Sequence, residues 1–558
     1  MPFDINRPDY DSLYGPTTGD RIRLGDTDLV LEVEADHTSY GNEITHGWGK
    51  NSRTGMMHAY RTPGDSELDS IIVGAVVVDP VLGIFKGDVG IKDGLIAGVG
   101  RAGNPDIMDG VDLVLGPNTN VFPAAGLIAT PGGVDSHVHI YDNPKLMETA
   151  ITSGLTTFIG AGLNHNGDFT IHKYFEAFEE VPINLGVQGR GAASHPAPIE
   201  RNIEAGACGM KIHEDEGAYP YVIDLCLQVA EQYDVSVALH TDGLQESMQV
   251  SDTIEAIGGR ALHAYHVEGV GGGHAPDLLK LAGVENIMTS STTPTVPYTV
   301  GTYQEHFPMT ALVHGLTPHL PTDVAALEAR VRRETMAAED VLHDMGAVPI
   351  INSDSQGMGR IGEVIARTWQ LAHKMKRERG GADLQNDNDR ILQYLAKISI
   401  NPAITHGISD YVGSLEKGKL ADIVLWDPRF FGVKPETVIK GGFTAWGSRG
   451  EGNASISNCE PVVYGPAFGA LGRTAGRLSA FFVSQASVDK GLAKRLGSRR
   501  RLLPVRNVRS ASKRKMVRNS LNPEIEIDPR TSRVVVNGRE ATSEAIREVP
   551  LNRLYVLT

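Results

Sequence analysis

The feature that most constrains this chain is a repeated unit beyond about Thr130, a short apolar run followed by an amphipathic helical stretch, with polar residues where the runs end. Candidate strands end near His139, Gly160, Gly189, His213, His240, His266, Ser291 and Asp354. Such alternation favours parallel strands joined by helices, and eight of them predict an α/β fold built on a (β/α)8 barrel. One helix illustrates the reading. After Thr322-Asp323, the residues Val324, Leu327 and Val331 share a face, and Gly346 marks a stop after Met345, leading into an eighth strand at Val348-Pro349-Ile350-Ile351.

The flanking regions read differently. Between Ile71 and Val99 short β-rich runs are broken by Asp93-Gly94, a strong hairpin signal. The stretch from Leu420 to Trp426 returns to β character. This predicts a β-rich domain over residues 1–129, completed by about 415–478, around a barrel over 130–414, with 479–558 packing on the barrel or at a subunit interface. A chain of 558 residues is long enough for such a division.

Composition removes several classes. With 41% hydrophobic residues and no run of about 18 apolar ones, neither a disordered chain nor a membrane span is expected. The start, Met1 to Arg7, lacks a basic region followed by an apolar stretch, so the expected location is cytoplasmic. Cys208, Cys226 and Cys459 are spaced for neither a disulfide framework nor a thiolate zinc site. A net charge of −16 argues against general nucleic-acid binding. The exception is local. From Lys494 to Arg518 stand eleven Lys or Arg and no acid, without the interleaved aromatic residues that single-strand binding needs, so the run is expected at solvent or an intersubunit surface.

The chemistry lies at the strand ends. In His137-Val138-His139, residues two apart share a face and lie about 6.6 Å apart, so both rings can reach one metal. Lys211, His240, His266 and Asp354 occupy corresponding places, where doubly buried strands should avoid polar groups unless these are paired or ligating. Four histidines and an aspartate are hard donors that suit nickel, zinc, iron or manganese. A set of satisfied core histidines accounts for this convergence less well. Lys211 admits two readings: pairing with Glu214 or Asp215, or loss of its proton beside metal ions and addition of carbon dioxide to give a bridging carbamate.

At this point the sequence resembles the urease alpha-subunit family, over almost the whole chain. The motifs are Thr130-Pro131-Gly132-Gly133-Val134-Asp135-Ser136-His137-Val138-His139, Lys211-Ile212-His213-Glu214-Asp215, Gly271-Gly272-Gly273-His274-Ala275-Pro276-Asp277, Ser290-Ser291-Thr292-Thr293-Pro294-Thr295 and Ser353-Asp354-Ser355-Gln356. The resemblance implies hydrolysis of urea to ammonia and carbamate at a dinickel centre bridged by a CO2-derived carbamate on Lys211. His240 and His266 would complete one metal site, and His137, His139 and Asp354 the other. His213 would bind the urea oxygen, His314 would be the general acid on a flap, and Asp215 and Arg330 would support it. The resemblance also implies urease beta and gamma subunits, maturation proteins and a trimer of heterotrimers.

This sequence departs from the family in three places. The flap reads Val313-His314-Gly315 where Cys-His-His is usual, so inhibition by thiol reagents there is not expected. The segment Gly160 to Asp168 is shorter than the glycine-rich family loop, and Gly357 replaces a customary alanine. The altered loop motivates one alternative to urea hydrolysis, an amidohydrolase for another small amide or urea derivative; a second alternative, a catalytically silent structural homologue, is opposed by the complete set of metal ligands.

Overall fold

The computed structural model describes residues 4–552, apart from 42, 45–57, 60–66, 142, 162–165, 214–216, 241–249, 270–276, 381–384 and 453–458. Its centre is eight parallel strands paired in chain order. They are β1 (Gly133–Val138), β2 (Leu155–Gly160), β3 (Asn184–Arg190), β4 (Gly209–Ile212), β5 (Ser236–His240), β6 (Leu262–Tyr265), β7 (Ile287–Thr292) and β8 (Ile350–Asn352). Apart from Arg190, every residue in them is buried. Burial on both faces is why these strands read as continuous apolar runs. A parallel bridge between Val138 and Ser355 joins the first strand to the chain just past the last, so the sheet nearly closes. The strand ends fall within two residues of those expected.

The illustrative helix is corrected. Two helices, Pro321–Arg330 and Arg333–Asp344, replace the single one expected through Met345. Val331 and Arg332 between them are extended, and both are buried. The apolar face continues in sequence across the break, so periodicity could not reveal it. Gly346, with φ of +78°, does end the second helix.

Beside the barrel lies a ten-stranded sheet. Strands Gly83–Lys92 and Leu95–Gly100 form the hairpin over Asp93-Gly94, whose φ values of 53° and 77° are those a tight primed turn requires. Ile128–Pro131 pairs parallel with Ser70–Asp79 and antiparallel with Ile423–Trp426, so chain from both sides of the barrel shares this sheet.

The C-terminal chain wraps the barrel. Strand Ala480–Val483 pairs with β3, and Asn184 Oδ1 accepts from the Ala480 amide at 2.9 Å. The basic run is not a free patch. Arg509 pairs with Glu231 at 2.8 Å, Arg514 with Glu285 at 2.7 Å and Arg518 with Asp389 at 3.2 Å. Arg500 is buried and donates to the Val181 and Ile183 carbonyls at 2.6 Å, and buried Lys513 donates to the Ala282 carbonyl. Most of the run nevertheless faces solvent, as expected, with Lys494, Arg495, Arg499, Arg506, Arg514, Lys515 and Arg518 exposed, while Arg500 and Lys513 are buried against the chain's own barrel.

Cys208 and Cys226 are core thiols, both pushed up to about 12 by burial. Among the described residues no helix is long and apolar enough to cross a membrane.

Candidate metal centre

The expected ligands meet at the C-terminal ends of the strands, where a barrel's chemistry sits. His137 and His139 leave β1 on one face, with ring centroids 5.3 Å apart. Asp354, just beyond β8, places Oδ1 3.3 Å from His137 Nε2 and 3.1 Å from His139 Nε2. His266 follows β6, and one ligand atom from each of His137, His266 and Asp354 lies within 4.8 Å of the others. His240 ends β5, with its ring 4.3 Å from that of His266 and 3.9 Å from that of His213. Lys211, in β4, is buried and lies within electrostatic reach of His137, His213, His240, His266 and Asp354. His266 thus adjoins both halves of the expected ligand set, one through His240 and the other through His137 and Asp354.

Two of the expected ligands carry backbone strain. His266 and Asp354 take φ values of +35° and +52°, which cost non-glycine residues on the order of 1–3 kcal/mol each. Two residues the sequence reading did not single out hold the geometry. Asp135 Oδ1 accepts from the amides of His137 and Ser353, each at 3.1 Å. Ser353 Oγ in turn donates to the His137 carbonyl at 3.2 Å and accepts from the Ser355 amide at 2.9 Å. These bonds clip the ends of β1 and β8 together. The signal for them was only their adjacency to ligands within polar motifs.

The electrostatics favour ligation. Burial, reinforced by Lys211 and His139, holds His137 well below the ordinary histidine value. Burial lowers His240 in the same way, brings His213 down to about 2 and His266 to about 3. Burial alone would raise the Asp354 carboxyl, but the hydrogen bond from His139 and the charges of His139, His266 and Lys211 hold it below the usual range. Neutral imidazoles beside a carboxylate are the forms that bind a cation. Both ring nitrogens of His137 and of His266 are buried without a hydrogen-bond partner among the described residues. Buried polar atoms left this way are costly, and a cation with nitrogen and oxygen ligands removes the cost. The residues fit a hard divalent metal.

The remaining candidates differ in how closely they join this cluster. His314 caps the helix Thr302–Val313, is half-buried, and lies near enough to His213 and His240 to disfavour their protonation. Arg330 is buried at the end of its helix, and Arg332 lies near both Arg330 and Glu268, two residues beyond His266. Asp215 lies outside the described residues, as do Glu214, the Gly271–Pro276 part of its motif, and 162–165 of the altered loop. At Gly357 a Cβ would stand 2.5 Å from Asp354 Oδ1 and 3.2 Å from His139 Cδ2, so the carboxylate occupies the space of an alanine methyl.

Residues 3–122 match the model of the urease alpha-subunit N-terminal domain, and residues 128–453 match that of the amidohydrolase family. The chain is 50% identical to the urease subunit alpha of Haloquadratum walsbyi over 571 residues, covering 100% of both. It is likewise 50% identical to that of Natronomonas pharaonis over 573 residues, again covering 100% of both. The chain belongs to the urease alpha-subunit family. Among solved structures it is similar to an L-hydantoinase from Arthrobacter aurescens, with 17% identity, a TM-score of 0.48, and coverage of 75% of this chain and 100% of that one. As an amidohydrolase of the urease alpha-subunit family, it is a hydrolase of amide C–N bonds.

Proposed function

We propose that this chain is the catalytic subunit of a urease, hydrolysing urea to ammonia and carbamate. The observation that carries the reading is the buried His137, His266 and Asp354 cluster at the barrel's C-terminal end, in a chain of this family. His137, His139 and Asp354 would hold one nickel ion, His240 and His266 a second, and a carbamate formed on Lys211 from CO2 would serve both. When bound, the metals supply an electrophile for the urea oxygen and lower the pKa of water towards neutrality.

The chain's own groups do the rest. His213, kept neutral by burial, donates an N–H to the urea oxygen without adding a charge to the site. His314, on the turn after its helix, holds a proton for the departing amine, and closure of that turn over the substrate excludes water. Arg330 and Asp215 orient this acid. The chain works with urease beta and gamma subunits and maturation proteins, as a trimer of heterotrimers, and in the cytoplasm. Its three units are 1–129 with 415–478, 130–414 and 479–558.

The test is ammonia release from urea by the chain co-expressed with its small subunits and maturation proteins in nickel medium, alongside metal content. Two nickel ions per chain with rapid urea turnover support the proposal. Bound metal with turnover only of substituted ureas or other small amides would overturn urea as the substrate.

A further inference from the structure

One buried aromatic residue at the floor of the site has no part in the reaction described above. Tyr265 ends β6 immediately before His266 and is fully buried. Its ring lies nearly parallel to that of His137, with centroids 3.7 Å apart and planes 11° apart. Lys211 Nζ lies 3.9 Å from the same tyrosine centroid. One ring therefore touches side chains from β1 and β4, on two sides of the ligand set.

The ring is itself anchored. Its hydroxyl lies 2.8 Å from the Ser136 carbonyl oxygen and 3.2 Å from Gln188 Oε1, sharing its one proton between them. Gln188 Nε2 donates to Ser236 Oγ at 3.4 Å, and that hydroxyl lies 3.2 Å from His406 Nδ1. His406 Nε2 is 3.0 Å from His263 Nδ1, and the His263 ring meets Tyr265 edge-on at 4.5 Å. A chain of buried polar groups thus runs across the barrel and returns to the ring that it fixes. Hydrophobic packing needs no such arrangement, because a phenylalanine would fill the same volume.

We infer that Tyr265 is a positioning residue of the metal centre, its hydroxyl-anchored ring holding the His137 plane and the Lys211 side chain in register with each other. The inference rests on the proposed role of His137 and Lys211 in holding metal. Groups that orient ligands in this way change metal affinity by about 10–100-fold when removed. A ligand free to tilt leaves a metal more readily than one whose plane is set.

The experiment uses the assembled, nickel-loaded protein and measures nickel content, the rate of nickel release to excess chelator, and the ligand-field absorption. Tyr265→Phe keeps the ring and its volume and removes only the hydroxyl. It is expected to fold with an unchanged metal count, release nickel several-fold faster, and show a shifted ligand-field band. Tyr265→Leu removes the ring as well and is expected to release nickel about 10–100-fold faster. Release at the wild-type rate with an unshifted band in Tyr265→Phe would overturn the proposal and leave Tyr265 as core filling. Urea turnover is scored separately. A wild-type protein that holds nickel but leaves urea intact overturns the substrate reading alone, and one that takes up no nickel overturns both.

Discussion

At position 357 a single hydrogen stands where a methyl group would meet the Asp354 carboxylate. Gly357→Ala therefore turns the carboxylate proposed to hold metal, and the variant is expected to load metal but release it to a chelator several-fold faster. An unchanged release rate would mean that Asp354 accommodates the methyl freely. His314 makes the opposite demand, since in the proposed reaction it acts on the leaving group and holds no metal. His314→Ala should keep its full metal content while kcat falls by on the order of 10²–10⁴-fold, and unchanged turnover would remove it from the general-acid role. The candidate ligands were legible because a histidine or aspartate ending a doubly buried strand is costly there unless it is paired or ligating. Tyr265 was not, because an aromatic residue in a strand is the ordinary content of a core. Only its hydroxyl partners and the ring stacked on it distinguish it.

The elements hold the site by their ends. Ser353 accepts one hydrogen bond and donates another within the clip that joins β1 to β8. Ser353→Ala leaves the His137 carbonyl and the Ser355 amide without these partners, at a cost of roughly 1–3 kcal/mol. A lowered melting temperature with faster metal release is expected, since His137 hangs from the same strand end. If stability falls while metal release stays unchanged, the clip supports the fold without tuning the ligands. Strand positions were readable because burial on both faces imposes an unbroken apolar run. The break at Val331-Arg332 was not, because local periodicity reports which side chains face inward and not whether the backbone between them stays helical. At the break Arg330, Val331 and Arg332 are all buried, and Val331 packs in a cluster with Tyr298, Met336 and Met358.

Across the molecule, the C-terminal chain binds the barrel through charges it has buried. Burial brings Lys513 down from 10.5 to about 7 in the folded protein. Between those values the unfolded chain holds a proton that the folded chain has released, so stability contributed at this position rises with pH from about 7 towards 10.5. The stability difference between Lys513→Met and the wild type should therefore shift in favour of the wild type over that range, as read from melting midpoints at stepped pH. A difference that does not change with pH would show that Lys513 does not titrate in the fold.

The sequence by itself pointed to the barrel, its strand ends and the convergence of His137, His139, His240, His266 and Asp354 on one rim, because alternation of apolar and amphipathic runs is local and donor chemistry is written in residue type. A ligand role for Lys211, by contrast, came from the family resemblance. Tertiary structure alone decided three things: that Arg500 and Lys513 of the basic run are buried on the barrel's own carbonyls, that chain from both sides of the barrel shares one sheet, and that Tyr265 lies beneath His137 and Lys211. Each depends on which distant segments pack together. Charge counting cannot reveal where a cation's partner lies, and strand propensity does not specify which strand lies alongside.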